Sequence, residues 1–263
     1  MTVGTSARRS SRAPRRTSIS TFRATTLGVT VAAVTAGVAL ATAGPAAAMP
    51  RPKMFGAKSD YYAGYKTVPA ARSVAATFRV PALHCDKTPD TAVVPQVQLT
   101  TDRTASSAGV VLDCNGTTAS YALQVTVNGT INGPAIRTPK GVRAGDLVTV
   151  KVATVGKKVT ASIRVPKRNR FVSVTSKLVG NPVSSDILVN GVGPRNAPLN
   201  VPDFGALTFT NVSLGGRDMN SADSAVMYDR IPIGRTVQIS VSEPSANWRS
   251  FTATFMSSAG DPA

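Results

Sequence analysis

Histidine, tryptophan and glutamate each occur once in this chain, as His84, Trp248 and Glu243, and cysteine occurs twice. A lone imidazole beside a cysteine cannot complete a multi-histidine zinc site or a nucleophile–histidine–acid triad, so no metal and no other cofactor is expected. Aromatic residues make up 5% of the sequence, too few for a platform on which successive bases stack. No stretch longer than about ten residues carries the apolar period of an amphipathic helix, which excludes a helical fold.

Acidic residues are also scarce, 13 against 30 lysines and arginines. The one long uncharged run, residues 27–44, follows six arginines (Arg8, Arg9, Arg12, Arg15, Arg16, Arg23) and precedes Ala46-Ala47-Ala48. A basic start, an apolar middle and a small-residue cleavage site make residues 1–48 an expected signal peptide. Threonine and glycine interrupt the run and no stop-transfer pattern follows, so no retained membrane span is expected. Arg15-Arg16 raises twin-arginine export, but the residues after it fit that pattern poorly and ordinary secretion is the better reading. The expected extracellular product keeps 24 bases and 13 acids, a formal charge of +11.

Eleven bases and a single acid, Asp146, lie between Arg137 and Lys177. Such a face reads first as a solvated basic surface; the alternative is that it holds an anionic envelope polymer. Nucleic acid is not an expected partner, because Phe171 is the only aromatic in that window and stacking platforms are missing. In an exported chain the even pair Cys85 and Cys114 reads as a disulfide. Closing that loop stabilises the fold by about 3–4 kcal/mol in the chain-entropy description.

What the sequence does have is period-two alternation. Val148, Val150 and Val152 share one side of LVTVKV, Leu207 and Phe209 one side of ALTFTN, and Val237, Ile239 and Val241 one side of TVQISV. Valine- and threonine-rich alternation is what a half-buried strand requires, and about eleven such runs separated by Gly, Pro, Asn or Asp turns predict an all-β sandwich or barrel. Two of them straddle Gly156 as an expected hairpin. The expected organisation is a basic flexible tail over 49–60, one β-domain over 61–257, and a C-terminal tail over 258–263.

Several segments, in order, resemble the glutamic peptidases, or eqolisins. YYAGY (61–65) is similar to the family's Asn-Trp-Ala-Gly-Tyr opening, and SVAATFRVPALHC (73–85) to the strand that follows it. SAGVVLDCNG (107–116) resembles the segment ending in Asp-Cys-x-Asn-Gly, and SYAL the Ser-Tyr-Tyr-Ala after it. VRAGDLVTVKV (142–152) resembles the Pro-Gly-Asp strand, VPDFGALTFTNVSLGG (201–216) the Phe-Gly-x-x-Thr-Phe-Thr strand, and PSANWRSFTATF (244–255) the closing strand. The resemblance implies two packed antiparallel sheets, a bent β-sandwich of concanavalin-like or jelly-roll type, with a peptide or protein bound in a groove. It implies a glutamate acting as general base on water, and a glutamine holding that water and stabilising the oxyanion, in acid.

At the glutamate position of that pattern this sequence has Asp186, and at the glutamine position Ser107. These are the candidate catalytic residues, both substituted. Asp draws the carboxylate back by one methylene, and a misplacement of about 1 Å can cost on the order of 100-fold. Serine in place of the amide removes an oxyanion donor, a loss of about 100- to 1,000-fold. Gln96, Gln98 and Gln124 are available amides, and a shifted register would bring in Gln96 or Gln98, although Gln98 falls where the family carries an aspartate. Gln98, Leu123 and Val125 are expected to line the groove, which lacks the family's aromatic-rich segment after Ser-Tyr-Tyr-Ala. The leading expectation is a peptidase-fold protein, weak or inactive in hydrolysis, that binds peptide, protein or envelope polymer. The alternatives are an active acid endopeptidase using Asp186 as general base, and a module binding cell wall or carbohydrate.

Overall fold

Alternating valines put the chain into strands whose two faces differ, and the hydrophobic face of each strand settles where it packs. The computed structural model describes residues 52–86, 91–129, 136–139, 141–191, 200–230 and 237–257. The expected leader, residues 1–48, and the expected tail, 258–263, lie outside them. Among the described residues there are fifteen strands: β1 (Lys53–Ser59), β2 (Tyr62–Val68), β3 (Ser73–Arg79), β4 (Thr91–Thr101), β5 (Ala105–Asn115), β6 (Thr118–Gly129), β7 (Ile136–Pro139), β8 (Leu147–Val155), β9 (Lys158–Val165), β10 (Arg170–Lys177), β11 (Pro182–Asn190), β12 (Ala206–Leu214), β13 (Ser224–Arg230), β14 (Ile239–Val241) and β15 (Phe251–Phe255). Among the described residues no helix is long and apolar enough to cross a membrane.

The strands hydrogen-bond in the order β10-β9-β8-β3-β12-β15-β14-β13-β2-β11-β4-β5-β6-β7, every neighbour antiparallel, and β1 joins β13 in parallel. This ribbon folds over as two layers, so that Val74, Phe78, Val150, Ile163, Phe209 and Phe251 from one end meet Tyr65, Val97, Leu99, Val110, Leu123 and Ile187 from the other in one buried cluster. Aromatic contacts run through this cluster. Tyr65 meets Phe251 edge-on at 4.7 Å, and Phe251 stacks on its cross-strand neighbour Phe209 at 5.0 Å. Such pairs add about 0.5–1.5 kcal/mol beyond the area they bury.

The expected hairpin is β8–β9, with Gly156 at φ 56° in its two-residue turn, a conformation glycine adopts without Cβ strain. The expected disulfide joins Cys85 to Cys114 with Cα atoms 5.5 Å apart, tying the segment after β3 to the end of β5. One expectation is corrected. Residues 49–60 are not simply a flexible tail, because 53–59 form β1, in register with the whole of β13 from Ser224 to Arg230. KMFGAKS has no alternating pattern and its side chains are mostly exposed; backbone hydrogen bonding to β13 holds it, and that leaves no trace in local sequence.

Candidate active site

On β2, β11, β4, β5 and β6 every second residue faces away from the core. Cross-strand register aligns these residues into rows. One row runs Val226, Lys66, Asp186, Gln98, Ser107, Thr126. The next runs Tyr228, Gly64, Leu188, Gln96, Gly109, Gln124. The residues between them in sequence, such as Ile187, Val97, Ala108 and Val125, belong to the core cluster. Both sequence-derived catalytic candidates therefore lie on one polar face, in one row. They are not in contact: Gln98 stands between them, and two strand spacings separate their backbones by roughly 9–10 Å.

Asp186 is 3% exposed. Its Oδ2 accepts hydrogen bonds from Thr100 Oγ1 at 2.9 Å and from Gln98 Nε2 at 3.3 Å, while its Oδ1 is closed off from solvent. Burial pushes the carboxyl above the usual aspartate range, and the hydroxyls of Thr100 and Ser184, the charge of Lys66 and the Gln98 amide only partly offset it. Gln98 donates its second N–H to Thr100 Oγ1 at 2.9 Å, and its Oε1 accepts from Gln96 Nε2 at 3.4 Å. Both hydrogens of the Gln98 amide are thus committed, one of them to the acid itself.

Three further groups complete the face. Lys66 is half-buried and in direct register with Asp186. Tyr62 and Tyr228 meet edge-to-face at 5.1 Å; burial pushes the Tyr62 hydroxyl up to about 12, with Tyr228 and Asp186 adding to the shift. Gly64 and Gly109 let the main chains close in. A Cβ on Gly64 would lie 2.1 Å from the Ile187 carbonyl oxygen, and one on Gly109 would lie 2.5 Å from that of Pro95 and 2.6 Å from Gln96 Cβ.

The groove expectation is corrected at two positions. Leu123 and Val125 are fully buried members of the core, so the face they present is the inner one; on β6 the polar face is carried by Gln124 and Thr126. The apolar parity of ALQVTV states this directly, and it is obscured only when the segment is assigned to the groove as a block. Gln98 does lie on the polar face, while Glu243 is exposed beyond β14 and acts on Tyr65, whose ring is in the core. Sequence reasoning missed Lys66, Tyr62 and Tyr228 as site residues. The signal available for Tyr62 and Lys66 was their common parity with Gly64 in YYAGYK.

Chemically, Asp186 supplies one carboxylate whose Oδ2 is held by Thr100 and Gln98 and whose Oδ1 is closed to solvent, so exchanging a proton with water requires the face to open. What the row lacks is an uncommitted amide beside it to hold a developing oxyanion.

The sequence profile described as the Peptidase A4 family matches residues 61–252. Scytalido-glutamic peptidase, solved with a transition state analog inhibitor, superposes with a TM-score of 0.59 at 14% identity, over 76% of this chain and 100% of the other. SCP-B, a member of the eqolisin family solved with the tripeptide Ala-Ile-His, gives 0.58 at 13% identity, with 76% and 100% covered. At these identities the likeness establishes the fold alone. No curated protein matches the chain.

Proposed function

Because the chain belongs to the Peptidase A4 family, we propose that it is an exported protein that binds extended peptide segments on the Asp186 face and hydrolyses them slowly or not at all. The observation that carries this reading is the hydrogen-bond commitment around Asp186. Thr100 and one N–H of Gln98 donate to Oδ2 and the other N–H of Gln98 to Thr100, so the amide nearest the acid holds the acid and not a substrate oxyanion. Ser107, 8% exposed, is a strand away and short.

Peptide is the favoured ligand because the face repeats with the period of an extended chain. Side chains two apart on a strand are about 6.6–6.8 Å apart, which is also the repeat of an extended peptide laid along it.

A second reading, an acid endopeptidase with Asp186 as base, is favoured by one feature. The Gln98–Asp186 bond is long at 3.3 Å, so its exchange for a bond to a tetrahedral oxyanion costs little. The water proton would pass to Asp186 Oδ1 and then to the leaving amine as the C–N bond breaks.

The experiment is cleavage of denatured casein between pH 2 and 6 by the purified chain, by Asp186→Asn, and by the double variant Asp186→Glu with Ser107→Gln. Binding with suppressed hydrolysis predicts little or no Asp186-dependent cleavage by the natural chain and a rise of about 100-fold or more in the double variant. Robust cleavage that Asp186→Asn abolishes establishes the second reading instead.

A further inference from the structure

The other layer carries an outward face of opposite character. Along β9 the outward residues are Lys158, Thr160, Ser162 and Arg164, and all four are at least partly exposed. Lys151 on β8 stands directly opposite Ser162. No acidic residue occurs anywhere from 147 to 177. Lys158 is moreover in direct cross-strand register with Lys177 of β10, both exposed, with Lys157 in the adjoining turn. Like charges placed opposite one another in an antiparallel pair destabilise it, and this pair has no carboxylate on β8, β9 or β10 to relieve it.

We propose that the outward face of β8, β9 and β10 binds a linear phosphodiester polymer of the cell-envelope type, laid along β9. Cations at Lys158 and Arg164 mark the two ends of the track, with hydroxyls between them at the strand period of about 6.8 Å. Thr160 and Thr175 share one hydrogen bond at 2.8 Å, so one hydroxyl hydrogen of that pair is left to donate to a phosphate oxygen. Arg168, which the sequence places in the same basic window, is not part of the track, because its guanidinium is bound to buried Asp146. Phe171, opposite Arg164, is the one large aromatic on the face, which disfavours single-stranded nucleic acid as the occupant.

The test is binding of the full chain to purified poly(glycerol phosphate), measured against salt, with single-stranded DNA in a parallel arm. Lys158→Glu with Lys177→Glu is compared with Lys53→Glu with Lys58→Glu, an equal charge change on exposed positions of β1. The proposal expects the first pair to weaken binding at least tenfold and to reduce the salt slope by about two, and the second to change affinity by less than twofold. Thermal melts establish that both variants are folded. Equal losses in the two pairs, no binding by the natural chain, or tighter binding of DNA than of the phosphate polymer overturns it. None of these outcomes bears on the peptide face, which the casein assay reads separately.

Discussion

Gln98 Nε2 donates to Asp186 Oδ2 from the strand that separates Asp186 from Ser107. The two positions that resemble a catalytic pair are thus kept apart by a third side chain, which holds the acid. Asp186, shortened by a methylene, is held by Gln98 and Thr100.

Gln98→Met removes the amide and keeps the volume. Hydrogen bonds to a charged group contribute about 1.5–3 kcal/mol, so the variant is expected to lose about 1–2 kcal/mol at neutral pH. The loss should shrink at pH 3, where a protonated Asp186 no longer needs the donor. Urea titrations at the two pH values check this; a loss equal at both assigns Gln98 a packing role alone.

Asp186→Asn is expected to raise stability at pH 7. The folded carboxyl titrates above its unfolded value, so the native state binds more protons than the unfolded one in that window, and stability falls as pH rises through it. The amide carries no such penalty. The melting temperature of the variant should exceed that of the natural chain at pH 7, and the gap should close as pH falls below about 3.9, the unfolded value.

Asp146 behaves in the opposite sense. It is 1% exposed; burial pushes its pKa up, but the Arg168 guanidinium and the Arg143 backbone N–H, which donates to Oδ2 at 2.9 Å, hold it below the usual range. The stability it contributes is present above its unfolded pKa and lost as pH falls through the lower folded one. Arg168→Ala is expected to cost about 2–3 kcal/mol at pH 7, less than for a fully buried pair, because 26% of the Arg168 side chain remains exposed. Melts between pH 2 and 7 should show the cost fading in acid.

Leu123→Ala is expected to cost about 2–5 kcal/mol without altering peptide binding beyond what unfolding explains. Thr126→Ala, on the other face of the same strand, should cost less than about 0.5 kcal/mol. Comparable costs at the two positions would contradict the assignment of faces on β6.

These comparisons also mark what was legible in advance. The valines at 148, 150 and 152 report the inner face of β8 because the period of a strand is local, and the turn at Gly156 is local as well. The pairing of Cys85 with Cys114 followed from there being two cysteines. The Gln98–Asp186 contact joins residues 88 apart in sequence and depends on how β4 and β11 align, which no local pattern encodes. β1 escaped for a related reason: its strand character comes from β13 and not from its own composition. The faces of Leu123 and Val125 are legible from parity, because the apolar residues of ALQVTV alternate with polar ones.

Gly64 and Gly109 have a consequence for anyone wishing to retune this protein. A side chain at either would be driven into the Ile187 or Pro95 carbonyl, so the floor of the second row is fixed in depth and closed to redesign. If the proposed peptide binding holds, selectivity is open to adjustment from the flanks, through Tyr62, Tyr228, Gln124 and Thr126, over a floor that keeps its depth.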